Sequence, residues 1–164
     1  MAGAGRHTKP IKAGQEGIGF LVNQTTRAFR WCIAEVCRQY NISPDSYTVL
    51  RHVLREIDES PDGLSSAVLS DKILMPVAQV NHAAQKLARD GWLVVTGEGD
   101  DACLRPTAEA RKIGPVLSES SRWMLDQALK DFNPAEIDEL SGYLRRVLKN
   151  LDAPLGDDEG PLHR

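Results

Sequence analysis

Three features of the 164-residue sequence predict a mainly α-helical fold carrying one small β-hairpin. Apolar residues recur at helical spacing through most of the chain. Cap residues, prolines at first helical positions and glycine stops divide that pattern into six segments. The exception is Trp92-Leu93-Val94-Val95, a strand signal followed by the turn Gly97-Glu98-Gly99-Asp100 and a returning stretch from Ala102 to Arg105.

Taken in order, Gly17 to Tyr40 places Ile18, Leu21, Val22, Thr25, Phe29, Cys32, Ile33, Val36 and Tyr40 along one broad stripe. That is a long amphipathic helix, which Asn41 ends. Ser43-Pro44 supplies a cap with proline at the first helical position, and Tyr47, Leu50, Leu54 and Ile57 mark the apolar face of a second helix. Ser60-Pro61-Asp62-Gly63 is a turn. Two shorter helices follow, one from about Ser65 to Ile73 and one from Pro76 to Gly91, a glycine stop. Beyond the hairpin, Thr107 caps a long helix to about Phe132, in which Gly114-Pro115 predicts a kink. Asn133-Pro134-Ala135-Glu136 is a capping box opening a last helix to about Leu151. No internal repeats occur.

Composition narrows the class. Hydrophobic residues make up 41% of the chain, enough to build a core, yet no apolar run is long enough to span a bilayer. The start, MAGAGRHTKPIKAGQEG, lacks the apolar stretch of a secretory signal. The three cysteines are odd in number and form no CxxC pair, so neither a disulfide framework nor a zinc ribbon is supported. A cytoplasmic location is expected. Residues 1–16, with Arg6, Lys9 and Lys12, read as a flexible basic arm, and residues 153–164 as a frayed acidic tail.

A short helix, a longer helix and then a hairpin form a winged helix-turn-helix arrangement. Such a unit lays its second helix in the major groove of DNA and sets the hairpin against the backbone beside it. In the second helix, Val80, Ala84 and Leu87 form the apolar stripe, while Gln79, Asn81, His82, Gln85 and Lys86 lie outward. Amides pair bidentately with adenine, and lysine suits phosphate or guanine. A solvated face of no particular function has the same composition, so this pattern leaves a DNA reader and a bland surface both open.

These segments also carry a resemblance. Leu64-Ser65-Ser66-Ala67-Val68-Leu69, Pro76-Val77-Ala78-Gln79-Val80-Asn81-His82, and Lys86-Leu87-Ala88-Arg89-Asp90-Gly91-Trp92-Leu93-Val94 resemble the reader of the MarR family of bacterial regulators. Arg105-Pro106-Thr107-Ala108-Glu109-Ala110 is similar to the segment with which that family leaves its wing, and Ile18-Gly19-Phe20-Leu21 with Ser43-Pro44 and Tyr47 to its first helices. The likeness covers about residues 17–152. It implies a winged helix DNA-binding domain over 44–106, dimerisation helices over 17–43 and 107–152, and a homodimer on a pseudo-palindromic operator in double-stranded DNA. On the family pattern Ala78, Gln79, Asn81 and His82 fall at base-contacting positions, Lys86 falls near the backbone, and Arg105 is the one cation of the wing.

The charge departs from the pattern. The wing loop is short and acidic, with Glu98, Asp100 and Asp101. Over residues 62–106, Asp62, Asp71, Asp90, Glu98, Asp100 and Asp101 stand against Lys72, Lys86, Arg89 and Arg105, a net charge of −2. Phosphate repels such a tip, which predicts weak or strongly salt-sensitive binding. A winged helix that docks a protein instead of DNA is the alternative.

The resemblance further implies a small aromatic effector between the first, second and fifth helices. Asn23, Arg27 and Trp31 repeat every four residues away from the apolar stripe, so arginine is placed to pair with a carboxylate and tryptophan to stack on a ring. Tyr47, Arg51 and His52 would form the opposite wall, and Arg30 and Arg38 suit a larger anion such as a coenzyme A thioester. Packing alone explains a Trp beside an Arg equally well.

Cys32 and Cys37 lie five residues apart, about 140° around a helix, and cannot share one metal. Cys32 falls in the apolar stripe and reads as a core residue, Cys37 is ambiguous, and Cys103 stands in the wing. No His/Cys/acid cluster has metal spacing, and no nucleophile–base pair or phosphate loop occurs. Neither a cofactor nor an enzyme activity is expected.

Overall fold

Local capping chemistry sets the helix boundaries. The computed structural model describes residues 17–57 and 60–152, so the basic arm at 1–16 and the acidic tail at 153–164 lie outside the described residues. The helices are α1 (Ile18–Cys37), α2 (Pro44–Glu56), α3 (Ser66–Ile73), α4 (Val77–Arg89), α5 (Ala108–Ala128) and α6 (Pro134–Asp152). The strands are β1 (Leu64–Ser65), β2 (Leu93–Thr96) and β3 (Cys103–Pro106).

Each predicted stop has a physical cause. After α1 a 3-10 turn, Arg38–Tyr40, leads to Asn41 at φ 54°, and Ile42 N–H returns to the Cys37 carbonyl at 3.3 Å. This is the left-handed residue that closes a Schellman motif. Gly91 does the same for α4 at φ 80°, with Trp92 N–H donating to the Leu87 carbonyl at 2.8 Å. Ser43 and Ser65 accept from the backbone N–H groups of Ser46 and Val68, capping α2 and α3. Asn133 and Glu136 form the reciprocal capping box, at 2.8 and 3.1 Å. α5 runs through Pro115 as one helix, and a proline there withholds the N–H that would reach the Arg111 carbonyl.

The sheet holds one strand more than the sequence pattern predicts. β3 lies between β1 and β2, antiparallel to both, with Leu64 opposite Leu104 and Leu93 opposite Pro106. β1 is two residues long, too short for any periodicity to announce it. Its consequence is structural: it ties the entry of α3 to the wing.

The chain divides into two units at Ser121 and Arg122. In the first, the core gathers Tyr47, Val49, Leu50 and Val53 of α2, Leu69 of α3, Val80, Ala84 and Leu87 of α4, Leu104 of β3 and Leu117 of α5. Tyr40 and Trp92 pack edge to face, ring centroids 6.2 Å apart. Cys37, not Cys32, is the fully buried thiol, and burial pushes it up to about 11. Cys32 is half-buried. The N-terminal half of α1 leaves Ile18, Phe20, Leu21 and Val22 exposed.

Among its described residues the second unit buries no side chain fully. Trp123, Leu125 and Phe132 are exposed, and along α6 Leu140, Leu144, Val147, Leu148 and Leu151 repeat on one face, all exposed. Among the described residues no helix is long and apolar enough to cross a membrane, and no group of three His, Cys, Asp or Glu side chains could hold a metal ion.

Candidate nucleic-acid interface

α4 is positioned by its apolar seam. Val80, Ala84 and Leu87 are at most 1% exposed, on a helix packed chiefly against α2, β2 and α3, and each larger side chain contributes about 1.5–3 kcal/mol by burial. The turn before it is locked: Leu74 takes φ 51°, Met75 N–H donates to the Ser70 carbonyl at 3.2 Å, and Ser70 Oγ donates to the Met75 carbonyl at 2.7 Å. With that side held, residues at 78, 82, 85 and 89 must turn outward at 100° per residue. Ala78, Gln79, His82, Gln85 and Arg89 are exposed.

The two flanks of this face are already engaged within the chain. On one flank Asn81 is half-buried and its Nδ2 donates to the Gly99 carbonyl in the wing tip, at 3.0 Å. On the other, Lys86 Nζ reaches the Asn41 carbonyl at 3.2 Å and Asp90 Oδ2 at 3.0 Å. Lys86 therefore ties α4 to the turn between α1 and α2. Arg105 is exposed but also engaged: its Nε donates to the Asp62 carbonyl at 2.5 Å, and its Nη2 lies 3.9 Å from Asp62 Oδ1. Cys103 Sγ donates to the same carbonyl at 3.2 Å.

Pairing redistributes the charge of the whole module. Lys72 pairs with Glu56, whose carboxyl is held below its ordinary range by Lys72 first and Arg55 second. With Lys86 and Arg105 engaged, Arg89 is the one cation over 62–106 without an ion pair among the described residues. Sequence reading counted Arg89 but did not select it. Its neighbour Asp90 looks like its partner, yet Asp90 reaches back one turn to Lys86. Two turns after His82 on the same outward face, Arg89 is the exposed cation of the helix.

The residues expected to hold an effector are not brought into one cavity. On α1, Asn23 donates to its own helix at the Gly19 carbonyl, 2.9 Å, and Trp31 is 72% exposed. Arg27 is exposed, Arg30 pairs with Asp45 at 2.7 Å and Arg38 pairs with Glu35. On α2, Tyr47 is a core residue whose hydroxyl meets Ser121 Oγ and the Leu117 carbonyl. His52 Nδ1 donates to the Thr48 carbonyl at 2.8 Å, and burial lowers its pKa. Arg51 and Arg38 line separate clefts: Arg51 one of about 370 Å³ between α2 and α5, with Leu54, Arg111, Pro115 and Leu117 in its walls, and Arg38 one beside Glu35, Gln39 and Ser120.

No known family profile matches the chain. No curated protein matches it either. Solved structures do. A MarR protein from Peptoclostridium difficile superposes with a TM-score of 0.74 at 20% identity, covering 92% of this chain and 95% of that one. A putative MarR family regulator from Listeria monocytogenes, solved in complex with a 26mer DNA, gives 0.72 at 18% identity over 88% of this chain and 99% of that one. CouR from Rhodococcus jostii RHA1, bound to p-coumaroyl-CoA, gives 0.68 at 16% identity over 88% and 97%. With TM-scores of 0.68 to 0.74 and coverage of at least 88% of each chain, this chain has the winged helix-turn-helix fold of the MarR transcriptional regulators.

Proposed function

We propose that the chain is a sequence-specific DNA-binding transcriptional regulator that acts as a homodimer, with α4 as the reading helix. One observation carries this reading: a 13-residue helix, fixed along one seam by Val80, Ala84 and Leu87, presents amides, an imidazole and one cation to solvent and no acidic side chain before its last turn. Ala78, Gln79, His82 and Gln85 face the base edges, and Arg89 meets phosphate. Asn81, Lys86 and Arg105 make contacts within the chain, holding the wing, the α1–α2 turn and the Asp62 turn in register with α4. The Listeria monocytogenes neighbour, complexed with DNA, supports the DNA-binding reading. A fluorescence anisotropy titration of the full chain against the DNA upstream of its own gene is the test. Saturable binding at low salt that random duplex fails to compete is expected, and its absence refutes the reading.

The exposed apolar faces of α1 and α6 support the homodimer, because a solitary chain would hold both in water. Residues 17–43 and 107–152 are then its dimerisation helices. Two copies must set their reading helices about 34 Å apart, one turn of DNA. Replacing Leu144 with Glu is expected to give a monomer by light scattering and to abolish operator binding. A regulator of DNA works where DNA is, so a cytoplasmic location belongs to the same reading.

An aromatic carboxylate or its coenzyme A thioester is the proposed effector, supported by p-coumaroyl-CoA in the Rhodococcus jostii neighbour. In this chain the α2–α5 cleft, with Arg51 and Arg111 over Leu54 and Leu117, suits an anion with an apolar body. A ligand relieves repression only by binding a DNA-incompetent helix spacing more tightly than the competent one. A thermal-shift screen of phenolic acids and acyl-CoA thioesters tests this separately, and Arg111→Ala should abolish any shift.

The acidic wing favours one second reading, a winged helix that docks a basic protein surface. It predicts that Gln79→Ala with Gln85→Ala leaves every DNA assay unchanged.

A further inference from the structure

Asn81 stands where a base reader is expected, yet its amide is spent on the wing. Its Nδ2 donates to the Gly99 carbonyl, which opens the 3-10 turn Gly99–Asp101. The same turn packs on both α3 and α4. Just after it, the Ala102 carbonyl accepts from Ser66 N–H at 2.9 Å and Ser66 Oγ at 3.3 Å, and Ala102 is buried. The tip is thus fastened at two points, Ser66 of α3 and Asn81 of α4. Gly97 at φ 82° and Gly99 at φ 63° allow the chain to fold back between them.

The fastening decides where charge goes. Glu98, Asp100 and Asp101 are exposed at this tip, and none forms an ion pair among the described residues. Because Asn81 binds the Gly99 carbonyl and the turn packs on α4, these carboxylates sit on a loop held beside that helix. Freed, the tip could relax away along the direction its glycines permit.

We propose that Asn81 is a positioning residue, tethering the acidic wing tip beside α4 so that the tip opposes phosphate contact irrespective of DNA sequence. The inference rests on the DNA-binding reading and deepens it. Non-specific affinity comes almost wholly from phosphate contacts, whereas base contacts are added on top. A sequence-independent repulsion therefore lowers binding to all DNA by one factor. It leaves only sites with good base contacts occupied at working salt.

Two measurements on the full chain test it. Amide hydrogen exchange needs no DNA: Asn81→Ala should speed exchange over residues 97–102 without changing that of α2, and Asn81→Gln should restore protection. Unchanged exchange in Asn81→Ala overturns the tether. The second measurement is anisotropy on random and upstream duplexes with the triple variant Glu98→Gln, Asp100→Asn, Asp101→Asn. Affinity for both should rise by about tenfold at low salt, the scale set in water by three unit charges ~10 Å from phosphate, and the gain should vanish at high salt. Wild-type binding with no gain in the variant overturns the brake and leaves the DNA reading intact. Failure of both proteins to bind any duplex overturns the brake and the DNA reading together, while the exchange result still decides the tether. Asn81→Ala itself separates the roles: a tether predicts tighter binding to random duplex, a base reader predicts weaker binding to the upstream duplex alone.

Discussion

The outward face of α4 and the tip of the wing lie side by side, and on the proposed reading both meet the same DNA. On α4 the exposed groups are Gln79, His82, Gln85 and Arg89, and the acid that follows, Asp90, is occupied with Lys86. At the wing tip they are Glu98, Asp100 and Asp101, while the wing's cation, Arg105, is turned to Asp62. A summed charge of −2 describes neither region. What an approaching polyanion feels is the set of charges left after internal pairing, and pairing has made the helix mildly positive and the tip more negative than the sum implies.

The two regions also differ in how they are held, and that difference can be broken from either side. The largest effect is expected at the α4 seam: Leu87→Ala, at 1% exposure, should cost about 2–5 kcal/mol and lower the melting temperature of the whole first unit. At the wing anchor, Gly63 sits at φ 102°, where an added Cβ would lie 2.5 Å from Cys103 Sγ and 2.8 Å from Arg105 Cγ. Gly63→Ala should cost about 1–3 kcal/mol and loosen the wing before α4, visible as selective amide exchange in β3. Arg89→Ala should leave stability unchanged, weaken binding about equally on all duplexes, and reduce the slope of log affinity against log salt by about 1. The smallest effect concerns Glu56. Its folded-state pKa is depressed below 4.5 by Lys72 and Arg55, so its contribution is present above that value and is lost as pH falls through the lower, folded one. The melting-temperature gap between wild type and Glu56→Gln should therefore narrow on acidification.

Helix order, caps and the α4 seam were legible in the sequence because each depends on neighbours one or two turns away. Ser43, Asn133 and Gly91 act where their local context puts them. β1 was not legible, since two residues carry no period and its partner lies 40 positions on, at Leu104. The engagement of Asn81 by Gly99, 18 residues away, and of Lys86 by Asn41, 45 away, likewise depends on how remote elements pack. For the same reason the resemblance, which sets Arg27 and Trp31 opposite Tyr47, does not foresee that Tyr47 belongs to the core while both α1 residues face solvent. Periodicity assigns a face to a side chain, and tertiary packing decides what that face meets.

The most direct test of the account is a competition titration comparing wild type with the double variant His82→Ala, Gln85→Ala on upstream and random duplexes. Base contacts by these side chains, at about 1–3 kcal/mol each, predict a loss of at least about thirtyfold on the upstream duplex and none on random DNA. Equal affinity of the two proteins for the upstream duplex would contradict the assignment of α4 as the reading helix.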